Sequence, residues 1–347
     1  MSAPPIAVYG ATGHTGRLVA AELHRRGFGV VLAGRNGEAL KAFAAELGDG
    51  GPEVSVHRAA LDEPDALRAL AERAGVLVHC AGPFTHTGEA VARAAVEGGC
   101  HYVDHGLEQH HTKWMFDVMR EPAERAGVAM VTAMSFYGGM GDLLAGAVAE
   151  GMGEVERVVA AYAVRGWRLT AGAKATAELL FAQTHRITFE DGVLRVGYVE
   201  PRNAVFPFPP PLGPRTMIAP LPSSEVVTVP RHVPARRVEA QLTADTFGEQ
   251  GVFDGEQADA ATRAGSEFTV AVQVIGESEG RAGRVSGRDL WRLSAVASVE
   301  AAVRLAGDAL GRGGVFAPAE AFAARPFLRD LARLGLFDLV LPEEVAA

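Results

Sequence analysis

The chain has 347 residues, 48% of them hydrophobic and 22% charged, so it is long enough for two domains with a sizeable core. A formal net charge of −9 and a pI of about 5.7, with no concentrated basic patch, argue against nucleic-acid and membrane-surface partners. Only two cysteines occur, Cys80 and Cys100, and the start of the chain has neither a basic region nor a long apolar one, so a cytoplasmic protein without a membrane span is expected.

Over the first 150 residues, short β-branched runs alternate with alanine- and leucine-rich segments. Strands are expected at 6–9, 29–34, 53–59, 75–80, 101–104 and 128–133, with helical periodicity between them. This alternation means parallel strands joined by crossover helices, hence an α/β fold with a Rossmann-type doubly wound parallel sheet. After about Gly146 the rhythm changes. A long strand is expected at 154–166, a helix over 172–184, and a hairpin over 187–196 turning at Asp191-Gly192. The segment "FPFPPPLGP", 206–214, reads as a surface loop barred from sheet ladders, with Phe206 and Phe208 shaping an apolar substrate cavity or a homodimer contact. Strands near "RVEAQLTAD" and "SEFTVAVQVIGES" suggest a second, α+β domain with a mostly antiparallel sheet. The tail returns to helix over 288–310 and in "RPFLRDLARLG". The expected domains are 1–145 for dinucleotide, 146–287 for substrate or dimerisation, and 288–347 as C-terminal helices.

The stretch "VYGATGHTG", 8–16, follows the first strand and opens the first helix. There Gly10 allows the tight turn, Gly13 lets the backbone approach a pyrophosphate, and Gly16 lets the helix pack closely on the sheet. Thr12, His14 and Thr15 complete this turn, where the phosphate would meet the N–H groups of a helix beginning near His14. The second strand ends "LAGRN", placing Arg35 and Asn36 where an NAD-binding protein usually carries an acidic residue. A guanidinium there suits a 2′-phosphate, so NADPH/NADP is the expected cofactor. Asp62 neighbours the adenine or caps a helix. Small residues Cys80, Ala81 and Gly82 would let the dinucleotide cross the sheet, with Pro83 stiffening the turn toward the nicotinamide.

"GATGHTG", "LAGRN" and "CAGPFTHTGEAVARAAVEGGCHYVDHGLE" together resemble the saccharopine dehydrogenase-like oxidoreductases, a group that includes bacterial trans-acting enoyl reductases. The resemblance implies a Rossmann domain followed by an α+β substrate domain, with the C-terminal helices returning to the first. It continues weakly through "RLTAGAKATAELL" and reappears in "SGRDLWRLSAVASVEAAVRLA" and "GVFAPAEAFAARPFL". The chain departs from its relatives at "MSFYGGMGD", where Tyr137 takes the place of an acidic residue, and at Lys174, which interrupts a run of small residues. Both departures fall where the family places substrate, so the family's substrate does not transfer.

No tyrosine is followed four residues on by lysine, which removes the short-chain dehydrogenase mechanism. In "HYVDHGLEQHH", 101–111, no spacing fixes three metal ligands on one face, so no metal is expected. Asp104 and His105 are read as ordering a loop beside the cofactor, with His105 or Glu108 a candidate to reach the substrate. Tyr137 is a candidate to donate a proton or to line an apolar pocket with Phe136 and Met140. Lys174 is either solvated or set to bind an anionic or carbonyl group, Asp142 reads as a helix cap, and Cys80 as a buried small residue. The expected activity is an NADPH-dependent reductase passing hydride to a C=C or C=N bond of a mostly apolar small molecule. Its rivals are reductive amination of an amino acid, which Arg165, Arg168 and Arg186 would have to serve, and a non-catalytic NADPH sensor or scaffold.

Overall fold

The computed structural model describes residues 4–48, 50–249, 251–255 and 258–343. They form two compact units. The first comprises the chain up to Gly106, His111–Ser135 and Trp291–Phe316; the second comprises Leu107–His110, Phe136–Leu290 and the chain from Ala317 onward.

In the first unit, β1 (Ile6–Tyr9), β2 (Val30–Gly34), β3 (Val54–Arg58), β4 (Val76–His79), β5 (His101–Asp104) and β6 (Ala129–Val131) lie in one parallel sheet. A seventh strand, Gly314–Phe316, pairs with β6, so the order is 314–316, β6, β5, β4, β1, β2, β3. Residues of β1, β2 and β4 are all buried, as expected of a sheet covered on both faces. Helix His14–Arg25 buries Gly16, Val19, Ala20 and Leu23, one stripe at helical spacing. The strand at 314–316 is too short to carry a period of its own, and the sequence reading missed it.

The second unit is built on a mixed sheet. Strand β7 (Val155–Arg165) runs through its middle, and the hairpin β8 (His185–Glu190) and β9 (Val193–Tyr198) turns at Asp191-Gly192, both in the left-handed region. The remaining strands are β10 (Arg202–Pro207), β11 (Pro214–Ala219), β12 (Ala235–Thr243), β13 (Glu267–Ile275), β14 (Gly280–Arg288) and Phe337–Val340. Neighbours are antiparallel except β12 and β7, which are parallel. Strands β14 and 337–340 were not read from the sequence; the first is a glycine- and arginine-rich run with no clear alternation.

Two expectations need correction. The proline segment does enter a ladder: Phe206 pairs with Arg215 and Pro207 with Pro214. That is possible because β10 is an edge strand, where a missing N–H costs no bond. Phe206 and Phe208 are buried with Val159, Ala161, Ala163, Met217 and Ala271, so they pack into the second unit's core. The unit boundaries also differ from those expected. The N-terminal part of the first unit ends at 135, because helix Gly139–Ala149 packs on β13 and β14. The segment after 288 is divided: helix Leu290–Ala306 joins the first unit from Trp291 on, while helix Ala324–Arg333 packs on Gly139–Ala149 in the second.

Candidate functional site

The glycine turn after β1 has the form that dinucleotide binding needs. Gly10 has φ +82°, and a Cβ there would lie 2.8 Å from the Ala81 Cβ, so both conformation and space demand glycine. A Cβ on Gly16 would stand 2.2 Å from the Gly10 carbonyl oxygen, which no real contact tolerates. Gly13 is the N-cap of helix His14–Arg25 and makes no side-chain cap bond, so no side chain competes for the first-turn N–H groups. Thr12, His14 and Thr15 are half-buried in the same turn, and His14 packs edge-on to Trp291 with centroids 5.9 Å apart. This cradle, which side chains would fill, fits a pyrophosphate at a helix N-terminus.

Beside it, Arg35 is exposed at the end of β2 and has no hydrogen bond or ion pair among the described residues. Its charge reaches Tyr9: burial raises the Tyr9 phenol, Arg35 lowers it in part, and Glu63 and Asp62 raise it. Arg58 is unavailable, since its Nη1 donates to both carboxylate oxygens of Glu63 at 2.8 and 2.9 Å. Asn36 caps helix Gly37–Leu47 by accepting from the Ala39 N–H at 3.1 Å, a structural duty the sequence reading did not foresee. Asp62 is exposed and is not the helix cap. That position belongs to Glu63, whose carboxylate takes the Ala60 N–H instead. At the end of β4, Ala81 and Pro83 both accept from the Thr87 hydroxyl, and Pro83 is the N-cap of helix Phe84–Glu97. Gly82 lies between them, half-buried.

The polar stretch after β5 divides between the units. In the first, the fully buried Asp104 carboxylate accepts from the Gly106 and Ala133 N–H groups (2.9 and 2.8 Å), from the Thr132 hydroxyl (3.1 Å) and from His111 Nε2 (3.0 Å). Burial raises its pKa, but the His111 bond and charge and the two backbone bonds outweigh that and hold it below the usual range. The same bonds account for Ala133 standing at φ +61°, a conformation costly for alanine. Asp104 therefore orders this loop. His105, whose Nε2 is buried without a partner among the described residues, is pushed down by burial to about 4 and is neutral at pH 7. His79, absent from the sequence-based candidates, is fully buried, bonds Tyr102 at 2.9 Å and is pushed down to about 3 by burial. Its one signal in the sequence is a lone histidine inside an apolar strand. In the second unit, Glu108 accepts from Thr176 at 3.5 Å and Gln109 bonds Ile187 through both its amide atoms. Among the described residues no three His, Cys, Asp or Glu side chains gather as a metal site.

Tyr137 belongs to the second unit, six residues past the end of β6 and not at its tip. Its ring lies 4.9 Å from Phe136, 5.0 Å from Tyr162 and 6.1 Å from Trp167. Burial pushes its phenol well above the ordinary value, so it stays protonated. Met140 is buried on the helix that follows. Lys174, in the first turn of helix Ala171–Ala182, is half-buried beside Gly255 and has no side-chain bond among the described residues. Asp142 is not a cap: it is fully buried inside helix Gly139–Ala149 and accepts from His232 Nε2 and the Ala319 N–H, both at 2.8 Å. Tyr162, Glu225 and Ser223 form a buried network that sequence reasoning missed, because Tyr162 lies 63 positions from Glu225 and the pair carries no local pattern. Burial drives Cys80 far above the ordinary thiol range and Cys100 to about 12, so both are protonated at neutral pH.

Residues 6–134 match the family described as the saccharopine dehydrogenase NADP binding domain, which bears out the resemblance seen in the glycine turn and "LAGRN". The cofactor is NADP(H). The trans-acting enoyl reductase of Mycobacterium bovis (strain BCG / Pasteur 1173P2) is 31% identical over 133 residues, 38% of this chain and 32% of that protein. The trans-acting enoyl reductase of Mycobacterium leprae is 31% identical over the same length. The chain thus aligns with about a third of these relatives' length. Among solved structures, apo saccharopine dehydrogenase (L-Glu forming) from Saccharomyces cerevisiae matches 97% of this chain and 100% of its own, with TM-score 0.63 and 11% identity, a likeness of fold.

Proposed function

We propose that the protein is an NADPH-dependent reductase that adds hydride to a C=C or C=N bond conjugated or attached to a mostly apolar small molecule. The observation that carries this reading is the surroundings of Tyr137, whose ring packs among Phe136, Tyr162 and Trp167. The arginines that a dicarboxylic amino acid would need are engaged or exposed. Arg168 bonds Asp254 at 3.2 Å and the Gly251 carbonyl at 3.4 Å, Arg186 bonds the Pro220 carbonyl at 3.3 Å, and Arg165 lies at the exposed end of β7. Burying carboxylates among aromatic rings without partners costs several kcal/mol, whereas an apolar enone or imine gains from burial.

Gly10, Gly13 and Gly16 keep the turn clear of side chains, so that the first-turn N–H groups of helix His14–Arg25 would hold the pyrophosphate, and Arg35 the 2′-phosphate. When bound, NADPH supplies the hydride. Tyr137 delivers the proton: its O–H bond breaks toward the atom left electron-rich by hydride addition, and the phenolate regains a proton from water. Neutral His105 and the Asp104 loop serve to order the cofactor's side of the chemistry, and Lys174 polarises an acceptor carbonyl where one is present.

NADPH oxidation followed spectrophotometrically decides this. Hydrophobic conjugated ketones and cyclic imines should be turned over, and lysine with an oxodicarboxylic acid, or glutamate with an aldehyde, should not. Turnover with the amino-acid mixtures alone would restore reductive amination. Stoichiometric NADPH binding with no oxidation across both panels would favour a sensor.

A further inference from the structure

We infer that Tyr162 and Glu225 are positioning residues that lock the Tyr137-bearing turn, residues 137–141, onto the second unit's sheet; the inference rests on the proposed role of Tyr137. Tyr162 stands near the middle of β7, paired with Leu242 of β12 on one side and Val270 of β13 on the other, and is fully buried. Its hydroxyl donates to Glu225 Oε1 and accepts the Gly138 N–H at 3.2 Å. The other Glu225 oxygen accepts from the Ser223 hydroxyl. The backbone on the far side is shaped to receive this pair. Gly138 turns at φ +86°, and a Cβ on Gly141 would stand 2.5 Å from the Tyr162 hydroxyl and 2.7 Å from Glu225 Oε1.

The Glu225 carboxyl lies at zero exposure, where a charged group is expensive and an apolar side chain would fill the space more cheaply. What the carboxyl supplies is direction. It fixes the Tyr162 hydroxyl so that its lone pair meets the Gly138 N–H, the residue next to Tyr137. Burial raises the Glu225 pKa, with the bonds from Ser223 and Tyr162 opposing it and the nearby Asp142 adding to it. The Tyr162 phenol, raised by burial and by Glu225, remains the hydrogen-bond donor. The turn is therefore held from the strand, and the Tyr137 ring is fixed in turn by its packing against the Tyr162 ring at 5.0 Å.

The test uses the full chain with NADP present. Tyr162→Phe and Glu225→Ala should leave NADPH affinity unchanged by fluorescence titration, yet speed amide hydrogen exchange at residues 137–141 by about tenfold or more, the loss of one net hydrogen bond. Glu225→Gln, which keeps an oxygen to accept from Tyr162, should restore slow exchange. In turnover, Tyr162→Phe should lower kcat with KM for NADPH unchanged, and in a Tyr137→Phe background it should add no further loss, because it acts through Tyr137. Unchanged exchange in folded Tyr162→Phe and Glu225→Ala proteins would overturn the inference whether or not turnover is found. So would kcat losses that multiply in full. If Tyr137→Phe keeps full turnover, the proton-donor reading falls, while the exchange result still decides what holds the turn.

Discussion

Replacing Arg35 with alanine tests the cofactor assignment most directly. Two arginines end the neighbouring strands β2 and β3, but Arg58 is committed to Glu63 by two bonds, whereas Arg35 is exposed with no partner among the described residues. A hydrogen bond to a charged group contributes about 1.5–3 kcal/mol, and solvent exposure moves Arg35 toward the lower end. NADPH should therefore bind roughly tenfold more weakly to Arg35→Ala, with up to about 100-fold as the ceiling. NADH, lacking the 2′-phosphate, should bind as before. Because Arg35 supports nothing in the fold, thermal stability should stay within about 0.5 kcal/mol of wild type. Raising the salt concentration should narrow the wild-type preference, since the pair is open to screening. Titrating both cofactors against both proteins at low and high salt reads all of this. Equal losses for NADPH and NADH, or an undiminished NADPH preference, would refute the assignment.

Gly16→Ala should abolish NADP binding and lower the melting temperature, because its Cβ would occupy space 2.2 Å from the Gly10 carbonyl; normal binding by a folded variant would mean the turn has room to move. Asn36→Ala should cost about 1 kcal/mol of stability through the lost helix cap, measured by denaturant unfolding, with little effect on NADPH affinity. His232 has its pKa raised above the ordinary value: burial lowers it, but the charge and hydrogen bond of Asp142 outweigh this. Its contribution to stability is thus fully present below about pH 6.5 and is lost as pH rises through the higher folded value. Melting temperature should fall across that window in wild type and fall less in His232→Gln; parallel profiles would show the pair is not the cause.

The nucleotide half was largely legible in the sequence because its signals are local. A glycine turn, the strand that precedes it and the helix that follows lie within about twenty residues, and the parallel sheet repeats one alternation that periodicity detects. The same locality explains the reading of Arg35, which is fixed by its place at a strand end. Asp62 and Asp142 show where local reasoning stops: both have the residue type of a helix cap, but Glu63 and Gly138 hold the cap positions, and Asp142 is buried against His232 and Ala319. The proline segment was misread for a similar reason. Proline bars a central strand, and only the tertiary sheet makes β10 an edge where Pro207 is tolerated and Phe206 turns into the core. The Tyr162–Glu225–Ser223 network depends on residues 61 to 63 positions apart meeting across a sheet and a short helix, and its cost is sustained only because every group finds its partner there. Local spacing determined the glycine turn; the meeting of distant polar groups was decided by packing, which is where the buried hydrogen bonds had to be satisfied.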